Sequence, residues 1–156
     1  MPDALRQRIE AGRPQMEAMA LERYGIKMSH GPIGIDSRPA LIGAKYAEEQ
    51  GVGKAYHDAM FRAYWQDARG IDQLDVMLDV AQSVGLGAEA FTAALDNPEY
   101  LHGVLADITQ AQALGLQGVP ALIFANKYLV SGAQPYDVLS RVADDVRKRM
   151  ESESQG

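Results

Sequence analysis

The stretch that decides the fold reads Gly-Leu-Gln-Gly-Val-Pro (115–120), Ala-Leu-Ile-Phe (121–124), Ala-Asn-Lys (125–127), Tyr-Leu-Val-Ser (128–131) and Gly-Ala-Gln-Pro (132–135). Two short apolar runs are separated here by three turn residues. This pattern predicts a tight β-hairpin made of Ala121–Phe124 and Tyr128–Ser131. Gly118, Val119 and Pro120 then form the loop that enters the first strand.

Upstream of the hairpin, apolar residues recur at helical spacing from residue 3 to residue 114, which predicts about six helices. Gly12 and Pro14 predict the end of one short helix and the start of the next. Asp72 is expected to cap a later helix. The helix of about residues 54–67 carries several aromatic residues on one broad face, so we expect it to be the most buried helix.

Downstream of the hairpin, Pro135 predicts the start of a terminal helix with a stripe of apolar residues that would cover one face of the hairpin. The chain is therefore predicted to be a single α/β domain. Its helical part covers residues 3–114, its β-β-α part covers residues 115–150, and residues 151–156 form a frayed tail.

Composition excludes several functional classes. The 156 residues carry a net charge of −6 without a basic block, which argues against a nucleic-acid partner. No apolar run is long enough to cross a bilayer and no leader pattern is visible, so we expect a cytoplasmic protein with no membrane partner. The sequence contains no cysteine, which excludes disulfides and thiolate metal ligands of its own.

The titratable residues do not form a recognisable catalytic or metal-binding pattern. His30, His57 and His102 are not spaced three or four residues apart, as two ligands on one helix would be. We expect His57 to be a hydrogen-bonded packing residue within the aromatic helix face. The sequence therefore predicts no catalytic residue, no metal site and no cofactor.

Five segments together resemble the thioredoxin-like DsbA family, in particular its FrnE-like branch: Ser37–Leu41, Ala44–Ala47, Tyr56–Trp65, Gly115–Phe124 and Lys127–Pro135. The resemblance implies an incomplete thioredoxin-like fold with a helical insertion, a carboxyl-terminal β-hairpin and a terminal helix. Family members open with a strand, a Cys-x-x-Cys turn, a helix and a second strand, and that opening is absent here. The family activity is thiol–disulfide exchange, so this chain alone is predicted to be inactive.

The resemblance also implies a role for the loop before the first strand. In the family, a cis-proline at this position lies beside the dithiol, and the preceding backbone binds an extended substrate. Gly118, Val119 and Pro120 are therefore the predicted substrate-binding residues, with a cis bond between Val119 and Pro120. The residues alone would favour a simpler reading, in which Pro120 only begins an edge strand.

The absent opening leaves one edge of the predicted hairpin uncovered. The exposed strand would be Ala121, Leu122, Ile123 and Phe124, and such an edge promotes strand pairing. We predict a homodimer in which this strand pairs with its own copy. A Cys-x-x-Cys-bearing partner chain or the amino-terminal helices could also cover it, and an extended peptide is a further candidate partner. The alternative functions are half of a split oxidoreductase, or an enzyme similar to the glutathione-using kappa-type transferases and isomerases.

Overall fold

The computed structural model describes residues 2–153. Within that range the secondary structure consists of α1 (Asp3–Tyr24), α2 (Arg38–Glu49), α3 (Gly53–Trp65), α4 (Leu74–Ser83), α5 (Ala88–Leu95), α6 (Pro98–Ala113), β1 (Ala121–Phe124), β2 (Tyr128–Ser131) and α7 (Tyr136–Glu153). Six helices thus precede a β-hairpin and a terminal helix. This order confirms the predicted fold class.

The chain divides into two compact units between Ala106 and Asp107, a point that lies within α6. We call them the amino-terminal unit and the carboxyl-terminal unit, and we describe each by itself. The organisation as one domain stays a prediction.

The core of the amino-terminal unit is formed by helices α2 to α5. Its two largest fully buried side chains are Tyr56 of α3 and Phe91 of α5. The Tyr56 hydroxyl donates a hydrogen bond to the carbonyl oxygen of Ala40, at 3.3 Å. Burial raises the pKa of Tyr56 well above its ordinary value, because the phenolate would lose its hydration. Gly43 leaves room for both rings, since a Cβ atom there would meet each of them.

The predicted break near the amino terminus is wrong. Residues 3–24 form the single helix α1, which contains Pro14 in its interior. Proline removes only its own N–H bond and disfavours the helical conformation of the residue before it. That residue, Arg13, is held in place because its guanidinium donates a hydrogen bond to the carbonyl of Gly31, at 2.9 Å. The predicted end at Gly25 is confirmed by its left-handed φ of 66°.

The aromatic face of α3 is divided, so the prediction that α3 is the most buried helix is wrong. Tyr56, Met60 and Ala63 are the buried residues of α3, whereas α4 buries Val76, Met77, Val80 and Ala81. Phe61 directly follows Met60 in the sequence, so its side chain points to a different side of the helix, and it is 53% exposed. Residues spaced by four share a stripe on a helix, so the stripe through Phe61 is separate from the stripe that enters the core.

The predicted cap at Asp72 is also wrong. Helix α4 begins at Leu74 after an N-cap at Gln73, and no side chain caps its first turn. The N–H of Gln73 instead bonds to the carbonyl of Gly70, at 3.1 Å, which closes a turn just before the helix. This turn delays the helix start by about one residue relative to the sequence pattern.

The carboxyl-terminal unit contains the hairpin and α7. The strands are antiparallel, with Ala121 opposite Ser131 and Phe124 opposite Tyr128, which confirms the predicted strand bounds. Helix α7 continues to Glu153, so the predicted frayed tail is wrong for residues 151–153, and residues 154–156 lie outside the described residues. An ion pair between Lys127 and Glu153, at 2.7 Å, links the hairpin turn to the last turn of this helix.

Candidate functional site

The loop before β1 is fixed by the end of α6. The N–H of Gly115 bonds to the carbonyl of Gln112, and the N–H of Leu116 bonds to the carbonyl of Ala111. These two bonds form a Schellman motif, which requires a left-handed residue after the helix, and Gly115 has a φ of 73°. The chain therefore leaves α6 in a defined direction, toward Gly118.

The predicted substrate-binding residues Gly118, Val119 and Pro120 form an exposed turn directly before β1. Val119 is 96% exposed, so its side chain has no packing role. The peptide bond between Val119 and Pro120 is cis. Residues 115–124 contain no titratable side chain, so the donors and acceptors of this site are mainly backbone groups.

The hydrogen bonds of the hairpin determine which backbone groups of β1 point toward β2. The N–H of Gly132 donates to the carbonyl of Pro120, at 2.8 Å, so these two residues form a hydrogen-bonded pair. Hydrogen-bonded pairs alternate with non-hydrogen-bonded pairs in an antiparallel ladder. Leu122 and Phe124 therefore also direct their backbone groups toward β2.

Ala121 and Ile123 have the opposite orientation. Their N–H and C=O groups point away from β2, and β1 has no second neighbouring strand among residues 2–153. The outer edge of β2 is different, because the side-chain amide of Gln134 donates to the carbonyl of Ser131, at 2.9 Å. The outer edge of β2 is therefore partly covered by the Gln134 side chain, whereas the outer edge of β1 is open to pairing.

The two faces of the hairpin also differ. The face that contains Leu122, Phe124, Tyr128 and Val130 is half-buried. Helix α7 reaches this face, and the guanidinium of Arg149 lies 5.8 Å from the centroid of the Tyr128 ring. On the other face Ile123 and Leu129 are exposed. An added strand along β1 would therefore find an apolar surface next to free backbone groups.

The three histidines lie in different surroundings. His57 and His102 are exposed, and the ring of His57 lies against Phe61 with centroids 4.4 Å apart. The prediction of a hydrogen-bonded packing histidine at position 57 is wrong, because this residue lies on the exposed stripe of α3. His30 is the buried histidine. Its side chain is 5% exposed and its Nδ1 lies 2.8 Å from Glu17 Oε1.

The pairing of His30 with Glu17 is not among the features expected from the sequence. No sequence signal could have found it, because the residues lie 13 positions apart and on different elements. Within residues 2–153, no group of three or more histidine, aspartate or glutamate residues is arranged to hold a metal ion. No helix in that range is long and apolar enough to span a membrane.

Comparison with known proteins places this geometry in a family. Over 117 residues the chain is 27% identical to the uncharacterized protein YwbO of Bacillus subtilis, which corresponds to 70% of this chain and 55% of YwbO. The crystal structure of SCO1869 from Streptomyces coelicolor, described as a probable DsbA oxidoreductase, superposes with a TM-score of 0.72 and 28% identity. That match covers 91% of this chain and 62% of SCO1869, so the chain spans little more than half the length of these relatives.

A family model gives the wider assignment. The model of the DSBA-like thioredoxin domain matches residues 3–143, which include the helical part, the hairpin and the first part of α7. The chain belongs to the DSBA-like thioredoxin domain family.

Proposed function

We propose that this chain acts as a binding member of its family, catalytically silent in disulfide exchange on its own, and that it captures a β-strand along the open edge of β1. The observation that carries the proposal is the outward orientation of the backbone groups of Ala121 and Ile123, directly after the turn at Val119–Pro120. Thiol–disulfide exchange needs a thiolate as nucleophile. The sequence contains no cysteine, whereas strand capture needs only backbone donors and acceptors.

A second copy of the chain is the proposed occupant of this edge. The loop and strand from Gly118 to Phe124 carry no charge, so two copies can approach without like-charge repulsion. An antiparallel strand pairs with its own copy about a twofold axis, and this closes the assembly at two subunits. The product would be a continuous four-stranded sheet, with two strands from each subunit.

The orientation of the free groups limits this pairing to registers in which Ala121 and Ile123 lie opposite outward-pointing residues of the second copy, and we propose the register that pairs these two residues with each other. Ala121 of one copy would form a hydrogen-bonded pair with Ile123 of the second copy, and the reverse pair would form by symmetry. Leu122 would then lie on the twofold axis, opposite Leu122 of the second copy. This pair would be a non-hydrogen-bonded one, in which Cα atoms are about 4.5 Å apart.

Cysteine cross-linking tests the register, because the chain has no other cysteine. A disulfide requires Cα atoms between about 4.4 and 6.8 Å apart. We expect L122C to form a covalent dimer under mild oxidation. The matched control I123C should cross-link poorly, because Ile123 would lie opposite Ala121 of the second copy. Equal cross-linking of both variants would contradict this register.

Light scattering tests the dimer independently of any register. The unaltered chain should have the mass of a dimer, and I123K should shift it toward the monomer, because each copy would bring a lysine to the shared edge. A monomeric unaltered chain would exclude the homodimer, and an unchanged dimer of I123K would exclude this edge as its interface.

An oxidoreductase completed by a separate Cys-x-x-Cys-bearing polypeptide is the second candidate. The similarity to SCO1869 favours this candidate, because the match covers only 62% of SCO1869. Insulin reduction distinguishes the candidates. The chain alone should show no turnover, and addition of a separate Cys-x-x-Cys-bearing polypeptide should create activity only under the second candidate. The FrnE-like assignment and a cytoplasmic location are further proposals, and cell fractionation tests the latter.

A further inference from the structure

A cavity of about 350 Å³ lies within the amino-terminal unit. Helix α1, the loop after it and the end of α3 form its wall, to which Arg8, Arg13, His30, Ile33, Tyr64 and Trp65 contribute. This volume is in the range of small-molecule sites. The proposed strand pairing uses none of these residues.

The backbone of the loop is held firmly against α3. The N–H of Ser29 donates to the carbonyl of Trp65, at 2.7 Å, and the N–H of Gly31 donates to the carbonyl of Tyr64, at 2.8 Å. The Tyr64 hydroxyl in turn donates to the carbonyl of Pro32, at 3.0 Å. A Cβ atom at Gly31 would collide with the Tyr64 ring. This side of the cavity is therefore preformed.

Two polar atoms on the cavity wall have no hydrogen-bond partner. The Nε of Arg13 and the Nε2 of His30 are both buried and unpartnered. Buried polar atoms are paired in the great majority of cases, and exceptions indicate a missing water, ion or ligand. The Glu17 carboxylate accepts a hydrogen bond from Nδ1 of His30, which leaves Nε2 as the available ring nitrogen.

The charge of the wall selects the kind of ligand. Arg8 and Arg13 line the cavity, and its lining residues include no aspartate or glutamate. The Glu17 carboxylate lies on the Nδ1 side of His30. This local positive charge contrasts with the net charge of −6 of the whole chain. Guanidinium groups bind carboxylates with paired hydrogen bonds. Tyr64 and Trp65, together with aliphatic side chains, provide an apolar surface beside these groups.

We propose that this cavity binds a small organic carboxylate with an apolar or aromatic body. The carboxylate would be held by Arg8 and Arg13, and the body would lie against Tyr64 and Trp65.

The intrinsic fluorescence of Trp65 provides the test, because Trp65 is the only tryptophan in the sequence. Titration with 3-phenylpropionate should give a saturable change. The neutral analogue 3-phenylpropan-1-ol should bind about tenfold more weakly or worse, because it lacks the charge. Acetate, which has the charge without the body, should also bind weakly. Trp65 also borders the apolar groove between α2 and α3, but binding there would not discriminate against the alcohol.

Two variants locate the site. R8Q should weaken the binding of 3-phenylpropionate by about tenfold. R6Q, on the same helix but outside the cavity, should bind like the unaltered chain. Circular dichroism should show that both variants keep their helix content. No saturable response, equal affinity for the alcohol, or unchanged affinity of R8Q would each overturn the proposal. None of these outcomes depends on dimer formation.

Discussion

The two units of this protein bury their apolar residues to different extents. The amino-terminal unit encloses Tyr56 and Phe91 completely between four helices. Among residues 107–153, Val146 of α7 is the only buried hydrophobic residue, and Ile123 and Leu129 of the hairpin are exposed. A two-stranded ribbon has few opportunities to bury side chains and leaves two edges open. The helical unit therefore closes its own core, whereas the hairpin leaves apolar side chains exposed.

The largest expected effect tests the closed core. F91A should lower the free energy of unfolding by about 3–5 kcal/mol, because a fully buried ring is lost and a cavity remains. Urea denaturation followed by Trp65 fluorescence reports this change, since Trp65 lies in the same unit. V146A removes two methyl groups from the carboxyl-terminal unit. Denaturation followed by circular dichroism should show that the free energy of unfolding falls by only about 1.5 kcal/mol.

F61A is the surface control for this comparison. Phe61 is 53% exposed, so its replacement by alanine should lower the free energy of unfolding by about 1 kcal/mol or less. A similar decrease in the free energy of unfolding for F61A and F91A would contradict the assignment of Phe91 to the core and Phe61 to the surface.

A smaller effect tests how tightly the same core is packed. G43A should lower the free energy of unfolding by about 1–3 kcal/mol, because the new Cβ would lie 2.5 Å from the Tyr56 hydroxyl and 2.6 Å from the Phe91 ring. G103A in α6 is the matched control. Its Cβ would lie at an ordinary distance of 3.5 Å from Lys45, so the better helix propensity of alanine should make it neutral or stabilising. Equal destabilisation by both variants would contradict the close packing at Gly43.

The smallest expected effect compares one exposed ion pair of each unit. Hydrogen bonding from the Arg38 side chain lowers the pKa of Asp36 to about 2. A lowered pKa stabilises the folded state above the ordinary value of 3.8, and this contribution is lost as the pH falls toward about 2. In the other unit, the hydrogen bond from Lys127 to Glu153 raises the pKa of Lys127. That contribution is present below pH 10.5 and is lost as the pH rises through the raised pKa.

Nuclear magnetic resonance titration of the Asp36 carboxyl and the Lys127 ammonium measures both shifts directly. R38Q should return the Asp36 pKa toward its ordinary value, and E153Q should do the same for Lys127. Both pairs are exposed, so solvent screening should keep their effect on unfolding small. An Asp36 pKa near its ordinary value in the unaltered chain would show that the pair does not persist in solution.

The features that could be predicted from the sequence are those set by neighbouring residues. The hairpin bounds follow from apolar runs on either side of Ala125–Lys127, and the end of α1 follows from Gly25. Pro14 does not end α1, because Arg13 is held by a contact with the distant Gly31. Asp72 does not cap α4, because a turn closed between Gln73 and Gly70 precedes the helix. The loop Gly118–Pro120 was recognised as a candidate site from family resemblance, but the direction of the backbone groups of β1 required the register of the hairpin.

Three properties are set by the amino-acid sequence alone: the chain has no thiol, it forms a helical part followed by a hairpin and a helix, and an uncharged strand follows Pro120. These properties depend on composition and on spacing over a few residues. Only the tertiary structure decided that Ala121 and Ile123 face outward, that the aromatic face of α3 divides into two stripes, and that His30 meets Glu17 beside a cavity lined by arginines. Such contacts join residues far apart in the chain, and their partners are selected by the packing of whole elements, which no local pattern encodes.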